Sequence, residues 1–109
     1  MCIPDQSEVL ERLAGNEELF IRMLRRFSEK YCFAGEQIRS LLNRERSGDL
    51  YIYIHSLKGI AASLGMQEIY EIAKKLEPLV QSDPGNFHES ELYALAGLVE
   101  AASLELQAL

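Results

Sequence analysis

Apolar residues recur along this chain at alternating spacings of four and three, the period of an α-helix with one buried face. Phe20, Leu24, Phe27, Tyr31, Ala34, Ile38 and Leu41 keep that spacing without interruption. Asn16 followed by Glu17 and Glu18 is a good start for them, because an Asn side chain caps free N–H groups and acidic residues suit the positive end of a helix. One long helix is therefore expected from Asn16 to about Arg46, and Gly35, about 1 kcal/mol worse than alanine in a helix, is where it can bend. Ser47-Gly48-Asp49 supplies the next stop and cap, after which Leu50, Ile54, Leu57, Ala61 and Leu64 form a second stripe. Gly65 ends that helix, and Ile69, Ile72, Ala73, Leu76 and Val80 follow after a very short link, so the two helices must be antiparallel neighbours. Pro78 removes a backbone donor and disfavours helical geometry just before it, which predicts a kink or an end near Glu77. Ser82-Asp83-Pro84-Gly85 reads as a turn, Asn86 and Glu89 have capping-box spacing, and Leu92, Leu95, Ala96, Val99, Ala102 and Leu106 define a last helix. Ser7 can cap a short opening helix through Leu13 that Ala14-Gly15 breaks. The pattern adds up to an all-α chain, an antiparallel four-helix bundle with a short additional N-terminal helix.

Composition narrows the classes of function. A length of 109 residues suits a single domain, 1–109, and nearly half the residues are apolar while a quarter are charged, as in a folded soluble bundle. The formal charge is -6, so a nucleic-acid backbone is repelled and no nucleic-acid partner is expected. Cys2 and Cys32 lack CxxC spacing and neighbouring histidines, which predicts neither a disulfide framework nor a metal site. The chain has no long apolar run to cross a bilayer and no signal-like start, which makes a cytoplasmic setting without direct membrane contact the default. Because the chain ends inside a helical pattern, it can also be a module of a longer, membrane-anchored protein.

The chemistry concentrates in HSLKGIAASLG, residues 55 to 65. On a helical wheel His55 falls roughly 140° from the centre of the Leu50–Leu64 stripe and points outward. Lys58, three residues on, is a helical neighbour whose ammonium can offset the charge of an anionic group at the histidine; alone, it reads as an ordinary solvated lysine. Gly59, one turn after His55 on the same outward face, leaves space for an incoming group, as does Ala62; the other explanation, close packing against a second helix, fits less well with a residue facing away from the core. Ile52 is the apolar contact expected at a docking surface, although a lone exposed isoleucine needs no special reason. Tyr51, Tyr53 and Tyr70 read as bundle-edge residues with wet hydroxyls, and Tyr51 can touch a partner. Counting back from the Gly65 turn puts Glu77 level with His55 on the partner helix, where its carboxylate can take the imidazole Nδ1–H and leave Nε2 as the nucleophile. The competing reading of Glu77 is a surface ion pair with Lys74 or Lys58. His88 has no flanking ligand residues and reads as a solvated or capping side chain.

This constellation resembles the active helix of histidine-containing phosphotransfer (HPt) domains, the phosphoryl carriers of two-component phosphorelays. The likeness extends over nearly the whole chain: an acidic start to a long helix, a Gly-Asp cap, His-x-x-Lys-Gly, Leu-Gly at the helix end and an apolar helix bearing Leu-Glu. It implies a phosphorelay intermediate in which His55 takes a phosphoryl group from the aspartyl phosphate of one response-regulator receiver domain, such as that of a hybrid sensor kinase, and passes it to the aspartate of another. HPt domains often carry a polar group at the position of Glu77, which transfers the role of orienting Nδ1 to it. The receiver would supply Mg²⁺ and the aspartate. No cofactor is expected, and no ATP-kinase activity, since a Gly-rich phosphate loop, a P-loop and an acidic metal cluster are all missing from the sequence. A monomer is expected, because the paired helices of sensor-kinase dimers are lacking. The rival reading is a non-catalytic interaction module that uses the Ile52 to Ala62 surface; a metal or haem bundle is a poor third, with only two histidines that do not share a helix face.

Overall fold

The first helix starts where the sequence supplies its cap, with the Asn16 side chain accepting the Leu19 N–H at 3.0 Å. The computed structural model describes residues 11, 13–43, 47–82 and 89–107. Among them are five helices and no strand: α1 (Glu17–Tyr31), α2 (Ala34–Asn43), α3 (Ser47–Leu64), α4 (Gln67–Ser82) and α5 (Glu89–Leu106). Ala14 and Gly15 both have positive φ, 55° and 78°, the sharp break read from their sequence. The opening helix from Ser7, the 82–85 turn beyond Ser82, the Asn86–Glu89 capping box, Cys2 and His88 lie outside the described residues.

The expected single helix from Asn16 to Arg46 is two. It is interrupted at Cys32 and Phe33, just before Gly35, and side chains close the gap from both sides. Gln37 Nε2 donates to the Lys30 carbonyl at 3.1 Å, satisfying an orphan acceptor at the end of α1, while the Gly35 N–H donates to Glu100 Oε1 at 3.1 Å and so finds a partner for a free donor at the start of α2. Apolar spacing could not reveal the break, because the buried face continues across it: Phe27, Tyr31, Ala34 and Ile38 are all buried. Gly35 instead serves close approach, since a Cβ there would sit 2.8 Å from Glu100 Oε1.

The α3 stripe is buried as its spacing predicts, with Leu50, Ile54, Leu57, Ala61 and Leu64 fully enclosed. Helix α3 starts two residues before Asp49 and ends at Gly65, φ 74°. There the Met66 N–H bonds the Ala61 carbonyl at 2.9 Å and the Gly65 N–H the Ala62 carbonyl at 3.3 Å, a Schellman closure that needs the left-handed glycine. Met66 is buried beneath it, and α4 begins at once as an antiparallel neighbour. Helix α4 does not end at Glu77: it continues through Pro78 to Ser82. Both Pro78 and Lys74, whose carbonyl a residue at 78 would ordinarily bond, are exposed, so solvent can stand in for the N–H that proline lacks.

Helix α5 closes the bundle with Leu92, Leu95, Ala96, Val99, Ala102 and Leu106 buried, and Ser28 Oγ donates to the Ser103 carbonyl at 2.8 Å to tie α1 to it. The molecule measures 44 × 23 × 20 Å, a rod about as long as α1 and α2 end to end, roughly 40 Å at 1.5 Å per residue. Among the described residues no helix is long and apolar enough to cross a membrane.

Candidate functional site

Three side chains converge on one carboxylate at the surface shared by α3 and α4. Glu77 Oε1 lies 3.2 Å from His55 Nδ1, and Glu77 Oε2 lies 2.7 Å from Lys58 Nζ. The hydroxyl of Tyr51 donates to Glu77 Oε1 at 3.4 Å. Helical spacing explains the grouping: residues 51, 55 and 58 are separated by four and three and fall on one face of α3, and the tight Gly65 turn sets the register that brings Glu77 opposite them. The two readings of Glu77, partner of His55 and ion-pair partner of Lys58, are both realised, one through each carboxylate oxygen. The continuation of α4 through Pro78 keeps that carboxylate on a helical backbone.

Exposure divides the cluster. The His55 side chain is 58% exposed, whereas that of Glu77 is 14% exposed. The carboxylate thus lies beneath the imidazole and holds it by one nitrogen. The Lys58 ammonium hydrogen-bonded to Glu77 holds its carboxyl below the usual carboxylate range, with the bond from His55 acting in the same direction and partial burial opposing it. Reciprocally, the hydrogen bond to Glu77 raises Lys58 above its ordinary value. The pair is charged on both sides through the neutral range.

The surroundings of His55 are low. Nothing lies within 4 Å of where a Gly59 Cβ would stand, and Ala62 is exposed, so close packing does not account for Gly59. Ile52 is 60% exposed and borders an open groove of about 370 Å³ with Leu41 and Tyr53. Tyr53 is half-buried: its hydroxyl donates to Gln37 Oε1, its ring meets Tyr31 edge-on at 5.7 Å, and burial, then the neighbouring Tyr31 and Glu100, push its hydroxyl well up. Tyr70 is half-buried with the Lys74 ammonium over its ring. Cys32, partly buried, is a free thiol. Among the described residues no group of three or more His, Cys, Asp or Glu could hold a metal ion.

Tyr51 is the member that sequence reasoning assigned elsewhere, as an edge residue facing a partner. Its ring stacks on the imidazole of His55, with centroids 5.9 Å apart and planes 20° from parallel. The available signal was its position one turn before His55.

The family model of the Hpt domain matches residues 21–108. The chain belongs to the Hpt domain family. Neither the curated proteins nor the solved structures give a match to it. As an Hpt domain, the chain has the helical-bundle fold of the family, and its class of activity is histidine phosphotransfer in two-component phosphorelays. Hpt domains are phosphocarriers rather than kinases, and they interact with receiver domains.

Proposed function

We propose that His55 is the phosphoacceptor of this Hpt domain, taking the phosphoryl group from the aspartyl phosphate of one receiver and passing it to the aspartate of another. The observation that carries the reading is the exposed imidazole whose Nδ1 lies 3.2 Å from a buried-side carboxylate. With Nδ1–H donated to Glu77, the lone pair is left on Nε2, the nitrogen turned away from the carboxylate. Nε2 attacks phosphorus, the acyl phosphate P–O bond breaks, and the receiver aspartate leaves with the bonding pair. Nδ1 keeps its proton, and the ring takes a positive charge opposite Glu77. The reverse sequence of the same bonds delivers the group to the second receiver, and in each direction the receiver supplies the Mg²⁺.

Lys58 has three donors. One is engaged by Glu77 Oε2, which leaves others for the oxygens of the bound phosphoryl group, so the same ammonium fixes the carboxylate and offsets the incoming charge. Gly59 and Ala62 keep the approach clear, while Ile52 and the edge of Tyr51 provide apolar contact for the docking receiver. We take the chain to act as a single domain and a monomer in the cytoplasm, with the receiver of a hybrid kinase as one source of the phosphoryl group. A two-step relay tests this reading: chain loaded from one phosphorylated receiver, freed of it, and mixed with a second receiver transfers its label to that receiver. No loading from any receiver tried would instead favour a non-catalytic interaction module, and loading without onward transfer to any receiver tried would contradict the relay role.

A further inference from the structure

Tyr51 is held against His55 at both ends of its ring. The body of the side chain packs against the core, and the hydroxyl reaches the α4 carboxylate that also meets the imidazole. At 3.4 Å that hydroxyl contact is long for an O–H···O bond, yet it joins the stacking at 5.9 Å and 20° in keeping the ring beside the imidazole rather than swung into solvent. Such offset stacking falls in the preferred range for aromatic pairs.

We infer that Tyr51 is a positioning residue whose ring stabilises the phosphorylated, cationic form of His55; the inference rests on the reading of His55 as the phosphoacceptor. Attack by Nε2 with the proton retained on Nδ1 gives the ring a positive charge that the free imidazole does not carry. Among the described residues, the groups facing the ring are Tyr51 and Lys58 from α3 and Glu77 from α4. Because Glu77 shares its negative charge with Lys58, the carboxylate alone does not offset the new cation, and the negative face of the tyrosine ring, within the roughly 6 Å reach of a cation–π contact, adds to it. For an exposed site this favours the cationic ring by about 2- to 5-fold. Tyr51 thus biases exchange toward phosphohistidine.

The test uses phosphoramidate, a small-molecule phosphoryl donor, so that no receiver is needed. The chain has two histidines, and His88→Gln leaves His55 as the sole target. In that background, wild type, Tyr51→Phe and Tyr51→Leu are phosphorylated, and the pH at which the phosphorylated ring loses its Nδ1 proton is followed by ³¹P NMR, with thermal melts showing that each variant is folded. Tyr51→Phe, which keeps the ring, should match wild type, whereas Tyr51→Leu should titrate lower by about 0.3 to 0.7 of a pH unit, the same 2- to 5-fold. An unchanged midpoint in Tyr51→Leu overturns the inference, and so does an equal fall in Tyr51→Phe, which would assign the effect to the hydroxyl. Failure of the relay reading would show separately, as absence of transfer from receivers.

Discussion

Glu77 is the side chain through which the others are organised, since among the described residues it alone touches His55, Lys58 and Tyr51. Its removal should release the imidazole to a mixture of tautomers. We expect Glu77→Ala to lose the predominance of the Nδ1–H form in ¹⁵N NMR of His55 and to slow single-turnover phosphoryl transfer by about 10- to 100-fold, the usual cost of losing the group that orients a working histidine. Glu77→Gln, whose amide oxygen still accepts, should lose less; an unaltered tautomer in Glu77→Ala would end the orienting role. The Glu77–Lys58 pair also has a defined pH window. Glu77 is lowered from 4.5, so its contribution to stability is fully present above that value and is lost as pH falls through the depressed one. Lys58 is raised from 10.5, so its contribution is present below that value and is lost as pH rises through the elevated one. The stability advantage of wild type over Glu77→Gln in urea titrations should therefore be flat through the neutral range, shrink at both extremes, and weaken with salt, because the Lys58 side chain reaches solvent. An advantage that grows in acid would contradict the pairing. At this scale the outward direction of His55 and its place beside Lys58 on one helix face were legible in the sequence, because one helical wheel gives both. The place of the Tyr51 hydroxyl was not, since it depends on the register of a second helix.

Among the elements, α3 is the one whose two faces do different work, and its glycine separates stability from access. Gly59 stands in a helix interior beside open space, so Gly59→Ala should raise unfolding free energy by about 1 kcal/mol. A bulky Gly59→Leu should remain folded yet slow transfer from a receiver; a Gly59→Leu variant that transfers at the wild-type rate would remove the clearance argument. Gly35 behaves in the opposite way. A Cβ there displaces the carboxylate that accepts the α2 N–H, so Gly35→Ala should destabilise by about 1 kcal/mol, the loss of a charged hydrogen bond outweighing the gain in helix propensity. With Glu100→Ala already in place the same change should become neutral or stabilising, and a double-mutant cycle in urea reads that reversal. The α3 and α4 stripes and the Gly65 link were legible because periodicity and a left-handed cap are local signals. The break between α1 and α2 was not, because Glu100 lies 65 residues away from the N–H it satisfies. Pro78 misled for a related reason: its local preference is real, but tertiary packing of Leu76 and Val80 on either side of it holds the helix.

For the whole molecule, the bundle is a mount that presents the exposed imidazole of His55 on a chain of net charge -6. Partners with a basic rim around their docking surface would be steered by that field, with encounter rates expected to fall as ionic strength rises. The fold class and the family were legible because helical spacing and the His-x-x-Lys-Gly motif point to the same architecture, whereas the choice of receiver depends on a partner surface that one chain does not encode. We propose His55 as the residue that carries the phosphoryl group. The most direct test is to incubate purified chain with phosphorylated receivers and Mg²⁺ and to follow intact mass and acid lability. Wild type is predicted to gain a single acid-labile phosphoryl group and His55→Gln none; a His55→Gln chain that is labelled as fully as wild type would contradict the account.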